Sequence, residues 1–173
     1  DALADALVES GADQLAGKRH DVVKGNGVLD ASSAVGGIVE AGTDECAVVE
    51  TAGGEVYINC RNDLGTNRRA IAWSADKGSS FARFSWEETL IEPSCQAGLV
   101  RFTDQEHHDR SRVLFSNPAS TQHENMTVRV SYDECRTWSD GPTLHEGPAA
   151  YSDLAIADDN TICCLYERGD EHP

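Results

Sequence analysis

Ser74-Ala75-Asp76-Lys77-Gly78-Ser79-Ser80-Phe81 and Ser131-Tyr132-Asp133-Glu134-Cys135-Arg136-Thr137-Trp138 are two copies of one pattern, Ser-x-Asp-x-Gly/Cys-x-Ser/Thr-aromatic. The first copy closes on Phe where the second has Trp, and the second carries Cys where the first has Gly. The pattern has a mechanical meaning. An Asp carboxylate accepts backbone N–H bonds inside a tight turn. Gly enters positive φ without a Cβ clash, and the closing aromatic packs back between strands. One such turn arises by chance; two, each between strand-like runs, state a repeat.

Working outward, the runs on either side read as short strands separated by turn residues. ECAVVET (45–51) and EVYINC (55–60) flank Ala52-Gly53-Gly54 as a hairpin. RRAIAW (68–73) enters the first repeat and FARFSW (81–86) leaves it. AGLVRF (97–102), RVLFSNP (112–118) and MTVRVS (126–131) follow, and LAIA (154–157) turns through Asp158-Asp159-Asn160 into TICCLYE (161–167). No helical period follows residue 40. A sandwich, a barrel or a propeller fits this much. Upstream, Ala2, Leu3, Ala6 and Leu7 predict a short helix within residues 1–16, stopped by Gly11. Residues 17–40 read as loop or weak strand.

Composition bounds the partners. The 173 residues suit one domain, and 39% hydrophobic with 25% charged residues fits a globular chain. Thirty acidic against 14 basic residues give −16, a surface that repels nucleic acid and anionic membrane. Such a surface suits a salt-adapted organism or an ordinary acidic bacterial protein. No apolar run approaches the ~20 residues of a membrane helix, so no membrane insertion is expected. A basic, apolar secretory leader is not seen at the start of the sequence. Cys46, Cys60, Cys95, Cys135, Cys163 and Cys164 lack zinc-site spacing and read as buried thiols, with one chance disulfide left open. No metal and no cofactor are expected.

The two repeats match the Asp-box (BNR repeat) that joins the third and fourth strands of propeller blades. The runs Thr43–Glu50, Ile91–Gln96, Leu114–Pro118 and Gly147–Leu154, with the closing Cys164–Gly169, then resemble exo-α-sialidases (neuraminidases) in kind and in order. The resemblance covers about residues 36–169. It implies an all-β fold: a partial six-bladed sialidase-type β-propeller of two and a half to three blades, preceded by the short helix. The expected division is an unassigned 1–35 and a propeller half over 36–173. One blade is expected around 45–86, one around 96–143 and half a blade over 151–167. A closed propeller needs ~4–8 blades. The chain therefore reads as a fragment, a partner in a complementing assembly, or a remodelled relic.

Carried over residue by residue, the resemblance makes Tyr151 the nucleophile and Glu45 the carboxylate that activates it. The chemistry agrees. The anomeric carbon of sialic acid bears its own carboxylate, so an anionic nucleophile meets repulsion, whereas a neutral phenol does not. With a reference pKa of ~10, that phenol needs a base within hydrogen-bond reach. Arg61 falls where one of three substrate-carboxylate arginines stands, a role suited to a bidentate guanidinium. His123 occupies the place of another, and an imidazole carries charge only when protonated. Gln96 matches a residue near the polar substituents of the sugar. Glu167 matches the acid that orients the remaining arginine, and Glu50 and Glu92 read as solvated or structural.

The family's F/Y-R-I-P motif and its aspartate general acid/base are not found in this sequence. The expected function is a retaining exo-α-sialidase that removes terminal sialic acid from glycoconjugates, incomplete or weakly active as this chain alone. The alternative is a non-catalytic sialoside-binding or Asp-box scaffold module, and a third reading is a self-associating β-module. The expected partners are a sialylated glycan or other acidic sugar, and either a further copy or a missing N-terminal half. The family's usual setting is secreted or periplasmic, with the cytoplasm as the other option.

Overall fold

The first hairpin forms because Thr51 closes it from both sides. Its N–H donates to Glu55 O (2.8 Å), its carbonyl accepts from Gly54 N (3.0 Å), and its hydroxyl accepts from Glu55 N (3.1 Å). Gly54 sits at φ 79°, where a Cβ is penalised. This turn joins β4 (Thr43–Glu50) to β5 (Val56–Asn62), and β6 (Arg68–Ser74) and β7 (Ala82–Ile91) complete an antiparallel sheet ordered β4-β5-β6-β7. The computed structural model describes residues 42–169. Before them it describes the backbone of β1 (Leu7–Glu9), β2 (Val23–Lys24) and β3 (Gly27–Val28).

Where a helix is expected over residues 1–16, the described part, Leu7–Glu9, is a strand paired in parallel with Ile162–Cys164. Helical spacing over so short a stretch is marginal, whereas a sheet edge offers a ready row of unpaired backbone groups. The rest of residues 1–16 lies outside the described residues, among which there is no helix.

The second sheet runs β1-β12-β11-β10-β9-β8, with β8 at Gly98–Thr103, β9 at Arg112–Pro118, β10 at Glu124–Ser131, β11 at Thr143–Ile156 and β12 at Ile162–Arg168. Its third member, β11, is unusual. β11 pairs with β10 up to Pro148 and with β12 from Ala149 onward. One long strand thus ends the second blade and begins the next. The described residues are all-β, two four-stranded blades and the start of a third, a partial propeller. Each Asp-box joins the third and fourth strands of its blade.

The boxes close as the residue types dictate. Ser74 Oγ accepts from Gly78 N (2.8 Å), and Asp76 accepts from Ser80 N (2.8 Å) and Ser80 Oγ (2.7 Å). In the second box Ser131 Oγ accepts from Cys135 N (2.8 Å), and Asp133 accepts from Thr137 N (2.8 Å) and Thr137 Oγ1 (2.6 Å).

Between the two blades lies a core built from Val49, Tyr57, Ile71, Trp73, Leu90, Val113, Phe115 and Trp138. Tyr57 meets Trp73 edge-on at 4.9 Å between centroids, and Phe115 lies 5.6 Å from Trp138. Such pairs add to the area term that holds the blades together. A second core, with Leu114, Met126, Val128, Leu154, Ile162 and Tyr166, lies under β9–β12. Gly98 lets β8 touch β11: a Cβ there would come within 3.2 Å of Asp153 Cα and 2.6 Å of Ser116 Oγ. Strand direction then puts the starts of β4 and β10, the ends of β5 and β12 and the middle of β11 at one end of the sheets, with the Asp-boxes at the other.

Candidate active site

Two β-bulges build the site. Between the pairs Asp44↔Arg61 and Ala47↔Asn59, two residues of β4, Glu45 and Cys46, face the one residue Cys60 of β5. Between Ala149↔Arg168 and Ser152↔Tyr166, Ala150 and Tyr151 face Glu167 alone. Bulges re-aim side chains and are common beside functional sites. Glu45 takes φ 43°, a left-handed value that an acyclic carboxylate side chain adopts at a cost.

The two re-aimed side chains meet. Tyr151 Oη donates to Glu45 Oε1 at 2.6 Å, and Arg61 Nη1 donates to Glu45 Oε2 at 2.9 Å. Arg61 Nε reaches Asp63 Oδ1 at 3.1 Å and Asp44 Oδ1 at 3.5 Å. Its Nη2 has no acceptor among the described residues, and the side chain is 24% exposed. Tyr151 remains 42% exposed, which leaves its phenol reachable from solvent.

Electrostatics follow the contacts. The hydrogen bond to Glu45 is the main reason the Tyr151 phenol is pushed up to about 12, with desolvation and the Glu45 charge adding and Arg61 opposing. The phenol is therefore protonated at neutral pH, and its proton is already directed at Glu45. Desolvation lowers the Arg61 pKa, but its bonds and charge contacts with Glu45 and Asp63 outweigh this and hold the guanidinium charged. Desolvation raises Asp44, against the pull of Arg61.

Beneath this cluster lies a buried platform that the sequence did not announce. Arg69 Nη1 pairs with Glu92 Oε2 at 2.8 Å, both side chains wholly inaccessible. Glu92 also accepts from Asn62 N (2.8 Å) and Cys95 N (3.2 Å), while Arg69 Nε donates to Asn59 Oδ1 (2.6 Å) and its Nη1 to Cys95 O (2.5 Å). Asn62 follows Arg61, and Cys95 precedes Gln96. The platform thus fixes two site residues through their neighbours. Glu92 is structural, one of the two readings open to it. Its fully shielded surroundings, invisible in Ile91-Glu92-Pro93, come from the partners that β5, β6 and the Cys95 segment bring around it.

The remaining candidates converge on the same strand end. Gln96 Oε1 accepts from Ser152 N (3.0 Å) and its Nε2 donates to Ala97 O (3.0 Å), so the amide grips the strand of Tyr151. Glu167 Oε2 accepts from Tyr151 N (3.3 Å). His123 lends its backbone carbonyl to Ala149 N (2.9 Å), two residues before Tyr151, and its half-buried imidazole makes no hydrogen bond or ion pair among the described residues. Glu50 is exposed at the far end of β4, where its carbonyl accepts from Arg101. No group of three ligating side chains among the described residues is placed to hold a metal ion. The geometry offers a phenol–carboxylate pair with a guanidinium behind it.

The BNR repeat-like domain family matches residues 26–164. A sialidase of Micromonospora viridifaciens is 35% identical over 138 residues, covering 78% of this chain and 21% of its own length. Sialidase-3 of Rattus norvegicus is 27% identical over 172 residues, covering 75% of this chain and 41% of its own. The solved structure of a Hadza microbial sialidase, Hz136, superposes with a TM-score of 0.65 at 31% identity, over 73% of this chain and 25% of that one. The chain thus spans between about a fifth and two fifths of the relatives it matches. With its two Asp-box turns, its blades and these similarities, the chain belongs to the sialidase family with BNR repeats and corresponds to part of such an enzyme.

Proposed function

We propose that this chain carries the nucleophile side of a retaining exo-α-sialidase site that acts on a terminal sialic acid or a like acidic sugar, with weak turnover on its own. The observation that carries the reading is the 2.6 Å bond from Tyr151 Oη to Glu45 Oε1, with Arg61 holding the other carboxylate oxygen. As Oη attacks the anomeric carbon, its proton passes to Glu45 and the bond to the aglycone breaks. Water then attacks the same carbon, returns the phenol, and the two inversions give retention. The Nη2 edge of Arg61 faces the substrate carboxylate, and His123 adds a single donor. Gln96 and Glu167 act as positioning residues, since they hold the backbone on either side of the Tyr151 bulge.

Two features set the weakness. Asp44, Glu45 and Asp63 surround one guanidinium, so an incoming carboxylate meets net negative charge. The role of protonating the leaving oxygen falls on no described residue. An aryl sialoside, whose phenolate leaves without a proton, therefore isolates what Tyr151 and Glu45 do. The expected result is slow aryl release, lost by ~100-fold or more in Tyr151→Phe. A sialosyl fluoride fluorinated beside the anomeric carbon is expected to label Tyr151, read by peptide mass. Labelling elsewhere, or release unaffected by Tyr151→Phe, overturns the assignment. His123→Arg is expected to tighten sialic acid binding by ~10-fold, the worth of one charge-assisted bidentate contact.

The non-catalytic reading has one observation in its favour, the imidazole of His123 where the family has an arginine. Sialic acid binding that persists in Tyr151→Phe, with no aryl release by the parent chain, decides for it.

A further inference from the structure

The bulge that presents Glu45 contains a second reactive group. Continuing the register Val48↔Ile58, Ala47↔Asn59 by one step sets Cys46 opposite Cys60. The two thiols share one apolar cluster on the face of the first sheet turned away from the second, close enough that each shifts the other's pKa. Both are free; Cys46 is half-buried and Cys60 buried. Each is a chain neighbour of a site residue: Cys46 follows Glu45, and Cys60 precedes Arg61.

We propose that Cys46 and Cys60 form a reversible disulfide that switches the Tyr151–Glu45–Arg61 site off under oxidation. The off-state rests on the site reading above; the disulfide itself does not. Two electrons must leave, and hydrogen peroxide is the oxidant proposed. The Cys46 sulfur attacks peroxide, an S–O bond forms, the O–O bond breaks and hydroxide departs as water. The Cys60 sulfur then attacks that sulfur, the S–S bond forms, the S–O bond breaks, and the Cys60 proton leaves with hydroxide as a second water. A dithiol reverses the change.

The division of labour between the two sulfurs follows from their surroundings. The hydrogen bond from Cys60 lowers Cys46 towards its thiolate, the nucleophilic form, although desolvation opposes it, and Cys46 is also the more accessible. Cys60, held up by that same bond and by burial, acts as the resolving thiol.

The switch follows from distance. Two unbonded thiols must draw together to reach a disulfide's S–S length of about 2 Å. Cys60 is fixed in the ladder opposite Ala70, whereas Cys46 lies in the bulge beside the left-handed Glu45. The bulge therefore takes up the movement. A hydrogen bond of 2.6 Å does not survive a shift of more than about 1 Å.

Peroxide treatment of the chain, followed by cleavage after Glu50 and Glu55, separates the peptides of Cys46 and Cys60 unless a disulfide joins them. The expected product is a joined pair that dithiothreitol parts and that Cys46→Ser abolishes. Cys46 stopping at sulfenic or sulfinic acid, or joined to another cysteine, overturns the disulfide. Alkaline difference titration against Tyr151→Phe reads the site without any sugar. Oxidation is expected to bring Tyr151 from about 12 back towards its ordinary ~10. A joined pair with unchanged titration overturns the switch. Sialic acid binding by the reduced chain is the separate third measurement. Its absence sinks the site reading and leaves the first two results standing, while a tenfold loss on oxidation, restored by dithiothreitol, supports both.

Discussion

The two Asp-box turns share a hydrogen-bond diagram and differ in what they are attached to. In both, the serine hydroxyl accepts from the fifth residue and the aspartate from the seventh, at matching distances. In both, the fourth residue, Lys77 or Glu134, takes φ 62°. Lys77 is exposed, and Phe81 is half-buried against the outer cluster of the first sheet. Glu134 instead accepts from Ala52 N (2.8 Å) and from Arg101 Nη2 (2.5 Å), and Arg101 in turn donates to Glu50 O (2.8 Å). Trp138 lies in the core between the blades. One turn only joins two strands of its own blade, and the other also fastens two blades together. The local sequence pattern specifies the turn; its neighbours decide how much stability rides on it.

The largest contrast is expected in the closing aromatics. Trp138→Ala empties a site that is 8% exposed and packed against Tyr57 and Phe115, and is expected to cost ~3–5 kcal/mol. Phe81→Ala is expected to cost less than half as much, because part of its ring already faces water. Urea unfolding of both variants measures the difference. Equal losses would mean that the inter-blade core is not what distinguishes the boxes. Trp138 Nε1 is buried without a partner among the described residues, so Trp138→Phe gives up volume but none of their hydrogen bonds and should fall between the two.

The fourth residue comes next. Glu134→Ala removes an acceptor from Ala52 N and the ion pair with Arg101, and should cost ~1–2 kcal/mol after allowance for its partial exposure. Lys77→Ala should lie within ~0.5 kcal/mol of wild type. A silent Glu134→Ala would mean that hydrophobic contact alone joins the blades.

Much of this arrangement was legible, and the illegible parts share a cause. Strands and boxes rest on local alternation and turn chemistry, which short sequence carries. The family motifs assign Tyr151, Glu45 and Arg61 to one site, and the structure brings their side chains within bonding distance. What sequence could not give was the bulge at each of the first two, since an extra residue in a ladder shows only against its partner strand. The expected blades, around 96–143 and 151–167, leave a gap between them, whereas β11 runs unbroken over Thr143–Ile156. Pro148, which lacks an N–H, sits where the strand changes partners, and its carbonyl accepts from Gly169 N (3.2 Å). The sequence leaves Glu92 between solvated and structural and assigns Arg69 no role, because their complete burial depends on the partners that folding brings around them.

The box aspartates should differ in their response to acid. Hydrogen bonds from Ser80 and Ser74 bring Asp76 down to about 2. Asp133 is also lowered, but burial is its largest influence and works in the opposite direction, against the bonds from Thr137 and Ser131. A depressed carboxylate stabilises the fold above its unfolded value of ~3.9 and loses that contribution as pH falls towards the folded value. Asp76→Asn should therefore flatten stability against pH between about 4 and 2 more than Asp133→Asn does. The check is thermal unfolding across that range.

The smallest effect tests the one residue type that departs from the pattern. Gly78 takes φ 88° and Cys135 takes φ 65°. A side chain in the left-handed region costs ~1–2 kcal/mol. At Cys135 that strain is offset by burial, since the thiol is 1% exposed within the inter-blade core. Removing a small apolar side chain there forfeits ~1–2 kcal/mol of transfer and packing. The two contributions nearly cancel, so Cys135→Gly should shift stability by less than ~0.5 kcal/mol in either direction. Gly78→Cys places the same strain on the turn of the outlying box and should cost ~1 kcal/mol. If Cys135→Gly instead stabilises by as much as Gly78→Cys destabilises, the thiol contributes nothing to the core. The second box would then be held by Trp138 and Glu134 alone.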